Sequence, residues 1–307
     1  MALAPLPSGP VRRLAFFGTP EIAVPTLSAL CEAGFDVALV VTRADKRRGR
    51  GGMATPSPVK TAALASGLRV THRVDDVLLE HRRQPIDLGI VVAYGALIKG
   101  HVLQEMPMVN LHVSLLPRWR GAAPIERAIL AGDTRTGVCL MQLEEGLDTG
   151  GIIDCRTMEI SPSTTADEIR SVLITAGTTM LVEHLRSGGF DVRPQEGEAI
   201  YAPKIEAEER RIDWTKSAEE ISRLVRIGDA WTDFRNRRVK IHRARIGDGA
   251  TTALPGTLVG TDGNVVVACG VGTLDVSEIQ SEGRPRVEAV QWARGMRLTA
   301  GEGFGRG

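Results

Sequence analysis

Two polar side chains stand two residues apart in an apolar run: Asn110 and His112, in the segment NLHVSLL at residues 110–116. Alternate residues of a strand point to the same side, so we expect the amide and the imidazole to lie together. N–H donors of this kind polarise a carbonyl group and stabilise the oxyanion that forms when a nucleophile attacks it. A single histidine in a strand is more often structural, and the adjacent amide is what favours a catalytic role.

A carboxylate that would complete this pair is Asp148, in the glycine-rich segment EEGLDTGG at residues 144–151. A carboxylate beside a histidine orients the ring and assists proton transfer. An aspartate in a glycine loop is, by itself, usually a turn residue. As a third member beside Asn110 and His112, it predicts an active site.

The elements that must position these residues form a repeating pattern in the first part of the chain. Apolar strand-like runs alternate there with helix-like segments, and the runs occupy residues 14–18, 37–42, 87–94, 110–116 and 136–143. Strands buried on both faces that alternate with helices predict an α/β domain with a Rossmann-like parallel sheet. Functional residues of such sheets lie beyond the carboxyl ends of the strands, where we expect the three polar residues.

The turn after the first strand argues against a nucleotide-dependent oxidoreductase. Its sequence is Gly18-Thr19-Pro20, whereas a dinucleotide site needs Gly-x-Gly-x-x-Gly at this point so that a pyrophosphate can approach the backbone. An oxidoreductase therefore remains only as a weakened alternative.

The character of the sequence changes after residue 189. Residues 190–206 are polar, contain Pro194 and Pro203, and show no periodicity, which predicts a linker. Residues 207–307 carry short strand-like runs separated by turn signals, which predict a small OB-like β-barrel. We thus predict a catalytic domain at residues 1–189 and a second domain at residues 207–307.

Composition excludes several classes of protein. Apolar residues make up 43% and charged residues 24% of the 307 residues, which is typical of a folded soluble chain. No stretch approaches the ~20 apolar residues of a membrane helix, so we expect no membrane association. The first ten residues include three prolines and no basic residue, so we expect no secretory signal peptide.

The cysteines indicate a reducing compartment. None lies in a Cys-x-x-Cys pair or at zinc-ligand spacing from a histidine. We therefore expect free thiols in the cytoplasm, without a disulfide framework and without a metal site. The four cysteines are Cys31, Cys139, Cys155 and Cys269.

Two basic stretches stand out in a chain whose formal net charge is only +1. Residues 43–50 hold five basic residues against one aspartate, and residues 223–245 hold eight against two. Basic runs are often only solvated faces, but the second lies on an OB-like segment, a frequent binder of single-stranded nucleic acid. The candidate RNA contacts are Arg43, Lys46, Arg47, Arg48, Arg50, Arg235, Arg237 and Arg238.

Six sequence motifs, in order along nearly the whole chain, resemble those of the methionyl-tRNA formyltransferase family. Asn-x-His, Ser-Leu-Leu-Pro and Gly-Leu-Asp-Thr-Gly belong to all folate-dependent formyltransferases of this fold, whereas Ser-Pro-Val-Lys and Arg-Trp-Arg-Gly are more particular to the tRNA enzymes. The matching motifs occupy residues 18–20, 56–60, 91–95, 110–125, 137–150 and 211–214.

The resemblance implies a reaction and its site. The formyl donor would be N10-formyltetrahydrofolate, and the acceptor would be the α-amino group of methionyl initiator tRNA. Residues 1–189 would be the formyltransferase domain and residues 207–307 the tRNA-binding domain of a monomer. Catalysis would fall to Asn110, His112 and Asp148, and the folate would lie against Ser114, Leu115, Leu116 and Pro117.

The chain departs from the family pattern at three places: Val113 replaces a usual glycine, Glu144 a usual aspartate, and residues 228–231 an Asn-Pro-Trp-Pro turn. None of these changes removes a catalytic residue. Two rivals remain beside the oxidoreductase. One is a folate formyltransferase for a small amine, which would lack a basic C-terminal barrel. The other is a non-catalytic RNA-binding protein on the same fold, which the intact catalytic trio argues against.

Overall fold

The computed structural model describes residues 2–47, 54–260, 264–299 and 301–305. The chain divides into two compact units. The first comprises residues 1–124, 135–159 and 170–202, and the second comprises residues 125–134, 160–169 and 203–307. No helix in the part of the chain that the structure describes is long and apolar enough to cross a membrane.

The first unit is built around a twisted sheet. Among the described residues its strands are, in spatial order, β10 (Ile152–Glu159), β9 (Arg135–Gln142), β7 (Met108–His112), β6 (Leu88–Val92), β1 (Arg13–Gly18), β2 (Asp36–Val41) and β5 (Val70–Thr71). The five strands from β5 to β7 are parallel. They confirm the predicted Rossmann-like architecture.

The other side of this sheet differs from the predicted all-parallel arrangement. Strand β9 runs antiparallel to β7, and β10 pairs antiparallel with β9. The sheet is therefore mixed at this end. Because β10 is only partly buried and lacks a continuous apolar run, its sequence did not indicate a strand.

Helices and short ribbons complete the first half of the chain. The helices are α1 (Val24–Glu32), α2 (Pro58–Ala65), α3 (Asp76–Arg83), α4 (Gly100–Glu105), α5 (Pro124–Ala131) and α6 (Ala166–Ser187), of which α5 and α6 include residues assigned to both units. The ribbons pair β3 (Lys46–Arg47) with β4 (Ala54–Thr55), and β8 (Arg118–Gly121) with β11 (Ile200–Ala202).

The segment predicted as a linker is largely ordered on the first unit. Residues 190–202 are assigned to that unit, Arg193 forms a β-bridge with Ile152, and β11 pairs in parallel with β8. These contacts are hydrogen bonds between backbone groups of a polar segment. Backbone groups are the same for nearly every residue type, so such contacts require no apolar periodicity in the sequence. The predicted domain boundaries at 189 and 207 remain a prediction.

The second unit contains an antiparallel, curled sheet, which confirms the predicted α/β domain followed by an OB-like β domain. Its strands in the described part are β12 (Ala230–Phe234), β13 (Arg237–Gly247), β14 (Leu258–Gly260), β15 (Val265–Ala268), β16 (Thr273–Ser281) and β17 (Val287–Glu288), with helices α7 (Ala218–Arg226) and α8 (Ala289–Met296). Bulges in the long β13–β16 pair bend the sheet. Four aromatic rings pack against one another in its core, by stacking and by edge-to-face contacts: Trp214, Phe234, Trp292 and Phe304.

A disulfide joins Cys139 to Cys155, so the expectation of four free thiols is wrong for this pair. The two residues lie directly opposite each other on antiparallel β9 and β10, with their Cα atoms 4.2 Å apart. Direct partners in an antiparallel pair point to the same face of the sheet. The sequence shows only a separation of 16 residues and not this register. Cys31 and Cys269 are free.

Candidate active site

Strand β7 places two of the predicted catalytic residues at its carboxyl end. Asn110 lies opposite Val91 of β6 and Met141 of β9, and His112 ends the strand opposite Cys139. The strand stops at His112, four residues before its predicted end, because the backbone leaves the sheet there. Both side chains lie on one side of the strand, as predicted, and both residues are buried.

The Asn110 side chain lines a cavity of about 590 Å³. None of the other residues that the structure describes makes a hydrogen bond with its amide, although the residue is only 8% exposed. A buried amide normally has a partner, so this one is available to a bound molecule. The Asn110 amide is therefore a free donor facing the cavity.

The walls of this cavity are mostly apolar. They come from the end of β6 with the turn after it, and from the loop after β9: Val91, Tyr94, Ile98, Leu143 and Leu147. Burial raises the pKa of the Tyr94 phenol, and the nearby Arg43 charge opposes this shift less strongly. The phenol therefore stays neutral. Polar groups of the cavity converge at Asn110, His112 and Asp148.

His112 is oriented by a backbone carbonyl group. Its Nε2 lies 2.9 Å from the carbonyl oxygen of Trp119. A carbonyl oxygen only accepts hydrogen bonds, so Nε2 carries a proton and donates it. In a neutral ring the other nitrogen, Nδ1, then has a free lone pair and can accept a proton.

Asp148 lies beside that free nitrogen. Its Oδ2 is 3.5 Å from Nδ1 of His112, which is an electrostatic contact rather than a hydrogen bond. The same Oδ2 accepts a hydrogen bond from the backbone N–H of Gly121 at 2.8 Å. The structure thus brings the predicted trio together, but the hydrogen bond that orients the ring comes from Trp119.

Strand β8 braces the site from one side through consecutive residues. Trp119 accepts from His112 through its carbonyl oxygen, and Gly121 donates to Asp148 through its N–H. The residue between them, Arg120, donates from Nε and Nη2 to Oε1 of Gln195, at 3.1 and 2.7 Å. The Arg-Trp-Arg-Gly segment is a strand whose backbone groups hold the His112 and Asp148 side chains.

Sequence reasoning missed the Trp119 carbonyl, the Gly121 N–H and Gln195. The first two are backbone groups, which carry no residue-type signal. The motif at residues 118–121 was the available clue, because it stood out beside Asn110 and His112. Gln195 lies in a segment that resembled a linker, and nothing in its local sequence indicated a contact.

Family models match both parts of the chain. Residues 12–185 match the model described as formyl transferase, and residues 204–297 match the model described as formyl transferase, C-terminal domain. A methionyl-tRNA formyltransferase from Symbiobacterium thermophilum is 41% identical over 310 residues, covering 95% of each chain. The chain belongs to the methionyl-tRNA formyltransferase family.

Solved structures of this fold agree with that assignment. HypX from Aquifex aeolicus, in complex with tetrahydrofolic acid, has a TM-score of 0.63 and is 17% identical, over 94% of this chain and 48% of that one. This chain therefore spans about half the length of HypX. A methionyl-tRNA formyltransferase from Clostridium thermocellum has a TM-score of 0.57 and is 16% identical, over 78% and 96%. These likenesses show the formyltransferase fold.

The residues that the family resemblance assigned to folate lie next to the cavity walls rather than in them. Ser114 is fully buried and donates to the carbonyl oxygen of Arg118 at 2.7 Å. Leu116 packs on Cys139 and Met141. Neither Leu115 nor Pro117 is among the residues that line the cavity. Contact of residues 114–117 with folate stays a prediction.

The first basic stretch is described only in part. Arg43 donates from Nη1 to the carbonyl oxygen of Gly95, at 2.9 Å, and so holds the turn that forms one cavity wall. The backbone of Lys46 and Arg47 forms β3. Arg48 and Arg50 lie outside the described residues.

The second basic stretch of this formyltransferase is exposed, but much of its charge is paired. Arg235 contacts Glu302, with Nη2 to Oε1 at 2.6 Å, and Arg245 contacts Asp275 at 2.8 Å. Arg238 stacks over the Trp231 ring at 3.9 Å and is an exposed residue. Arg237 is also exposed, and its side chain makes no hydrogen bond or ion pair with the described part of the chain. Arg237 and Arg238 are therefore the members best placed to meet an outside phosphate.

No group of three or more His, Cys, Asp or Glu side chains in the described part of the chain is arranged to hold a metal ion.

Proposed function

We propose how this transferase, which formylates methionyl-tRNA, carries out its reaction. It takes the formyl group from 10-formyltetrahydrofolate and passes it to the α-amino group of methionine on initiator tRNA. Asn110, His112 and Asp148 are the catalytic residues. The observation that carries this assignment is the buried Asn110 amide, which faces the cavity and has no hydrogen-bond partner among the described residues.

The cavity suits the donor. A reduced folate has a flat ring with a hydrogen-bonding edge, joined to an aromatic amine that bears the formyl group. Apolar walls from Val91, Ile98 and Leu143 would cover the ring faces, and backbone groups of the turn at Tyr94 would meet its polar edge. Leu147 is 50% exposed and would cover the aromatic amine near the cavity mouth.

The reaction needs one oxyanion donor and one proton acceptor. The α-amino nitrogen attacks the formyl carbon, and the carbonyl oxygen becomes an oxyanion that the Asn110 amide stabilises. The attacking nitrogen loses a proton, the bond from the formyl carbon to N10 of the folate breaks, and N10 gains a proton. The products are a formamide and tetrahydrofolate, and no covalent enzyme intermediate is needed.

His112 and Asp148 move the proton. Because Nε2 of His112 already donates to Trp119, the proton from the amine goes to Nδ1 and can return from there to N10. The Asp148 carboxylate, 3.5 Å from Nδ1, stabilises the positive charge on the ring between these two transfers. The charged ring also assists Asn110 in stabilising the oxyanion.

Exposed arginines would bind the tRNA. Arg237 and Arg238 supply cationic groups on the second unit, and the basic residues of the first stretch, at residues 43–50 of the sequence, would supply further phosphate contacts. We place this activity in the cytoplasm and assign it to a monomer.

A transfer assay tests the proposal. The enzyme is given 10-formyltetrahydrofolate with methionyl initiator tRNA, elongator methionyl-tRNA or a nucleotide-linked amino sugar. We expect formylmethionine on the initiator tRNA, at a rate at least tenfold above that with the other acceptors. Preferential labelling of the amino sugar, or equal use of both tRNAs, would contradict the proposed acceptor.

A further inference from the structure

The loop that carries Asp148 is held by a side chain that lies outside the cavity wall. The amide nitrogen of Gln195 donates to the carbonyl oxygen of Asp148 at 2.8 Å and to that of Gly150 at 2.7 Å. Its amide oxygen accepts from Nε and Nη2 of Arg120, at 3.1 and 2.7 Å. Gln195 therefore links strand β8 to the backbone on both sides of Thr149.

The orientation of the Gln195 amide follows from its partners. Arg120 only donates hydrogen bonds, so it must face the amide oxygen, and the two carbonyl oxygens only accept, so they must face the amide nitrogen. Each donor and acceptor of the amide is then satisfied. A buried or half-buried polar network in which every donor and acceptor is paired holds its side chains in one arrangement.

The loop needs such support because its backbone conformation is unusual. Asp148 has a φ of 53°, in the left-handed region that a non-glycine residue rarely adopts. A Cβ atom at Gly150 would clash with the carbonyl oxygen of Gln142, so the chain passes very close to β9 there. The carboxylate of Asp148 is fixed by Gly121, and its main chain is fixed by Gln195.

We propose that Gln195 is a positioning residue for formyl transfer, and that it acts by holding the Asp148 carboxylate beside Nδ1 of His112. This role rests on the proposed function, because it matters only if His112 and Asp148 move the proton. Gln195 is not among the residues that line the cavity, so its loss changes the rate of the chemical step more than substrate binding.

Two substitutions distinguish the hydrogen bonds of the Gln195 amide oxygen from those of its amide nitrogen. Gln195→Met keeps the length of the side chain but removes all its hydrogen bonds, and we expect kcat to fall roughly tenfold. Gln195→Glu keeps the acceptor for Arg120 but turns a carboxylate oxygen toward two carbonyl oxygens, so its kcat is expected to fall further. KM for the donor and for tRNA should change less than about twofold in both. The neighbouring exposed residue gives the control, since Glu196→Gln should match the parent.

A double-mutant cycle tests whether Gln195 acts through Asp148. Asp148→Asn removes the charge beside Nδ1, and we expect a fall in kcat of about 10²-fold. Adding Gln195→Met to Asp148→Asn should lower kcat by less than about threefold, because the carboxylate that Gln195 positions has already been removed. If Gln195→Met costs the same factor in both backgrounds, or if KM rises while kcat is unchanged, the positioning role is wrong.

Hydrogen exchange of residues 146–151 gives a measurement that does not depend on activity. Gln195→Met should exchange these amides faster than the parent and the Glu196→Gln control, and unchanged exchange would overturn the proposal. If Gln195→Met does not fold, Gln195→Asn, which is one methylene shorter, is used in the same comparison. If the parent protein shows no formyl transfer but Gln195→Met still exchanges these amides faster, the proposed function is wrong. Gln195 would then still be the residue that holds the loop.

Discussion

The amino and carboxyl ends of the parallel strands in the first unit differ in whether their buried polar side chains have hydrogen-bond partners. At the amino ends, the Glu80 carboxylate accepts from Arg13 at 2.8 Å and from Arg69 at 2.7 Å, so its charge is neutralised. At the carboxyl ends, the Asn110 amide is equally buried but has no hydrogen-bond partner among the described residues. The Glu80 carboxylate is paired within the chain, whereas the Asn110 amide is open to a ligand.

We interpret this difference as a separation between residues that serve stability and residues that we propose serve the chemistry. The amino ends include a further closed contact, since the Asp87 carboxylate accepts from the backbone N–H groups of Arg12 and Arg13 at 2.8 and 2.9 Å. At the carboxyl ends, Nδ1 of His112 faces a carboxylate at 3.5 Å without a hydrogen bond. The groups proposed to move protons are left incompletely paired, and backbone groups of Trp119 and Gly121 hold the His112 and Asp148 side chains in place.

The largest expected effect follows from removing a group at the carboxyl ends. His112→Ala deletes the proton acceptor, and turnover should fall by roughly 10²-fold or more. The unfolding midpoint and the affinity for a folate analogue should stay close to those of the parent. His101→Ala is the control, because His101 is an exposed histidine paired with Asp75 away from the cavity. Near-normal turnover in a folded His112→Ala protein would show that this histidine is structural.

An intermediate effect is expected at the amino ends, on stability and not on the chemical step. Glu80→Gln weakens hydrogen bonds between a buried carboxylate and two arginines, and it should lower the free energy of unfolding at pH 7 by about 1.5–3 kcal/mol. Glu105→Gln breaks an exposed pair with Arg82 and should cost less than about 1 kcal/mol. Urea unfolding of both variants measures the difference.

The pH dependence of the free energy of unfolding tests the contribution of the Glu80 carboxylate to stability. The Arg69 hydrogen bond holds the pKa of Glu80 below its usual value, with desolvation opposing it and the charges of Arg69 and Arg13 adding to it. This contribution is present above the unfolded pKa of about 4.3 and is lost as the pH falls through the lower folded value. The stability difference between parent and Glu80→Gln should therefore shrink below about pH 4. A difference that grows on acidification would contradict this assignment.

The smallest expected effects concern the basic residues. Arginines that already pair with a carboxylate should respond differently from arginines that do not. Arg237 and Arg238 are exposed, and replacing both by Gln should lower the log–log salt slope of tRNA affinity by roughly 0.7–0.9 for each lost phosphate contact. Arg245→Gln is the matched control on the same strand, because Arg245 is already paired with Asp275 and should change the slope little. Fluorescence titration with tRNA from low to moderate salt measures these slopes.

The first basic stretch should respond differently from the second. Replacing Arg47, Arg48 and Arg50 by Gln should lower single-turnover formylation at saturating tRNA as well as the salt slope, because this stretch comes shortly after the end of β2 in the sequence and we expect it to place the 3′ end of the tRNA. Parent-like slopes and rates in both sets of variants would mean that the basic stretches are only solvated faces, and would favour a small amine as the acceptor.

The fold and the proximity of Asn110, His112 and Asp148 were predictable because their signals are local or belong to motifs. Alternation along β7 was enough to place Asn110 and His112 on one side. The direction of β9 and the Cys139–Cys155 pair depend on register between distant segments, which residue periodicity does not encode.

Other features were hidden because their partners are distant or are backbone groups. The carbonyl oxygen of Trp119 has no residue-type signal, and the Gln195 side chain hydrogen-bonds to Arg120 and to two backbone oxygens that are distant in sequence. The charge excess of residues 223–245 was counted along the sequence, whereas Glu302 and Asp275 approach that stretch only in the fold. The sequence therefore indicated the candidate catalytic groups better than the groups that support or neutralise charged side chains.

The most direct measurement is single-turnover formyl transfer to methionyl initiator tRNA, with donor and tRNA both saturating, by the parent, Asn110→Ala and Glu80→Gln. If the open carboxyl ends carry the chemistry, Asn110→Ala should transfer roughly 10²-fold more slowly or worse with an unchanged unfolding midpoint. Glu80→Gln should unfold more easily but transfer at nearly the parent rate while folded. Near-parent transfer by folded Asn110→Ala, or an equal loss in folded Glu80→Gln, would contradict the account.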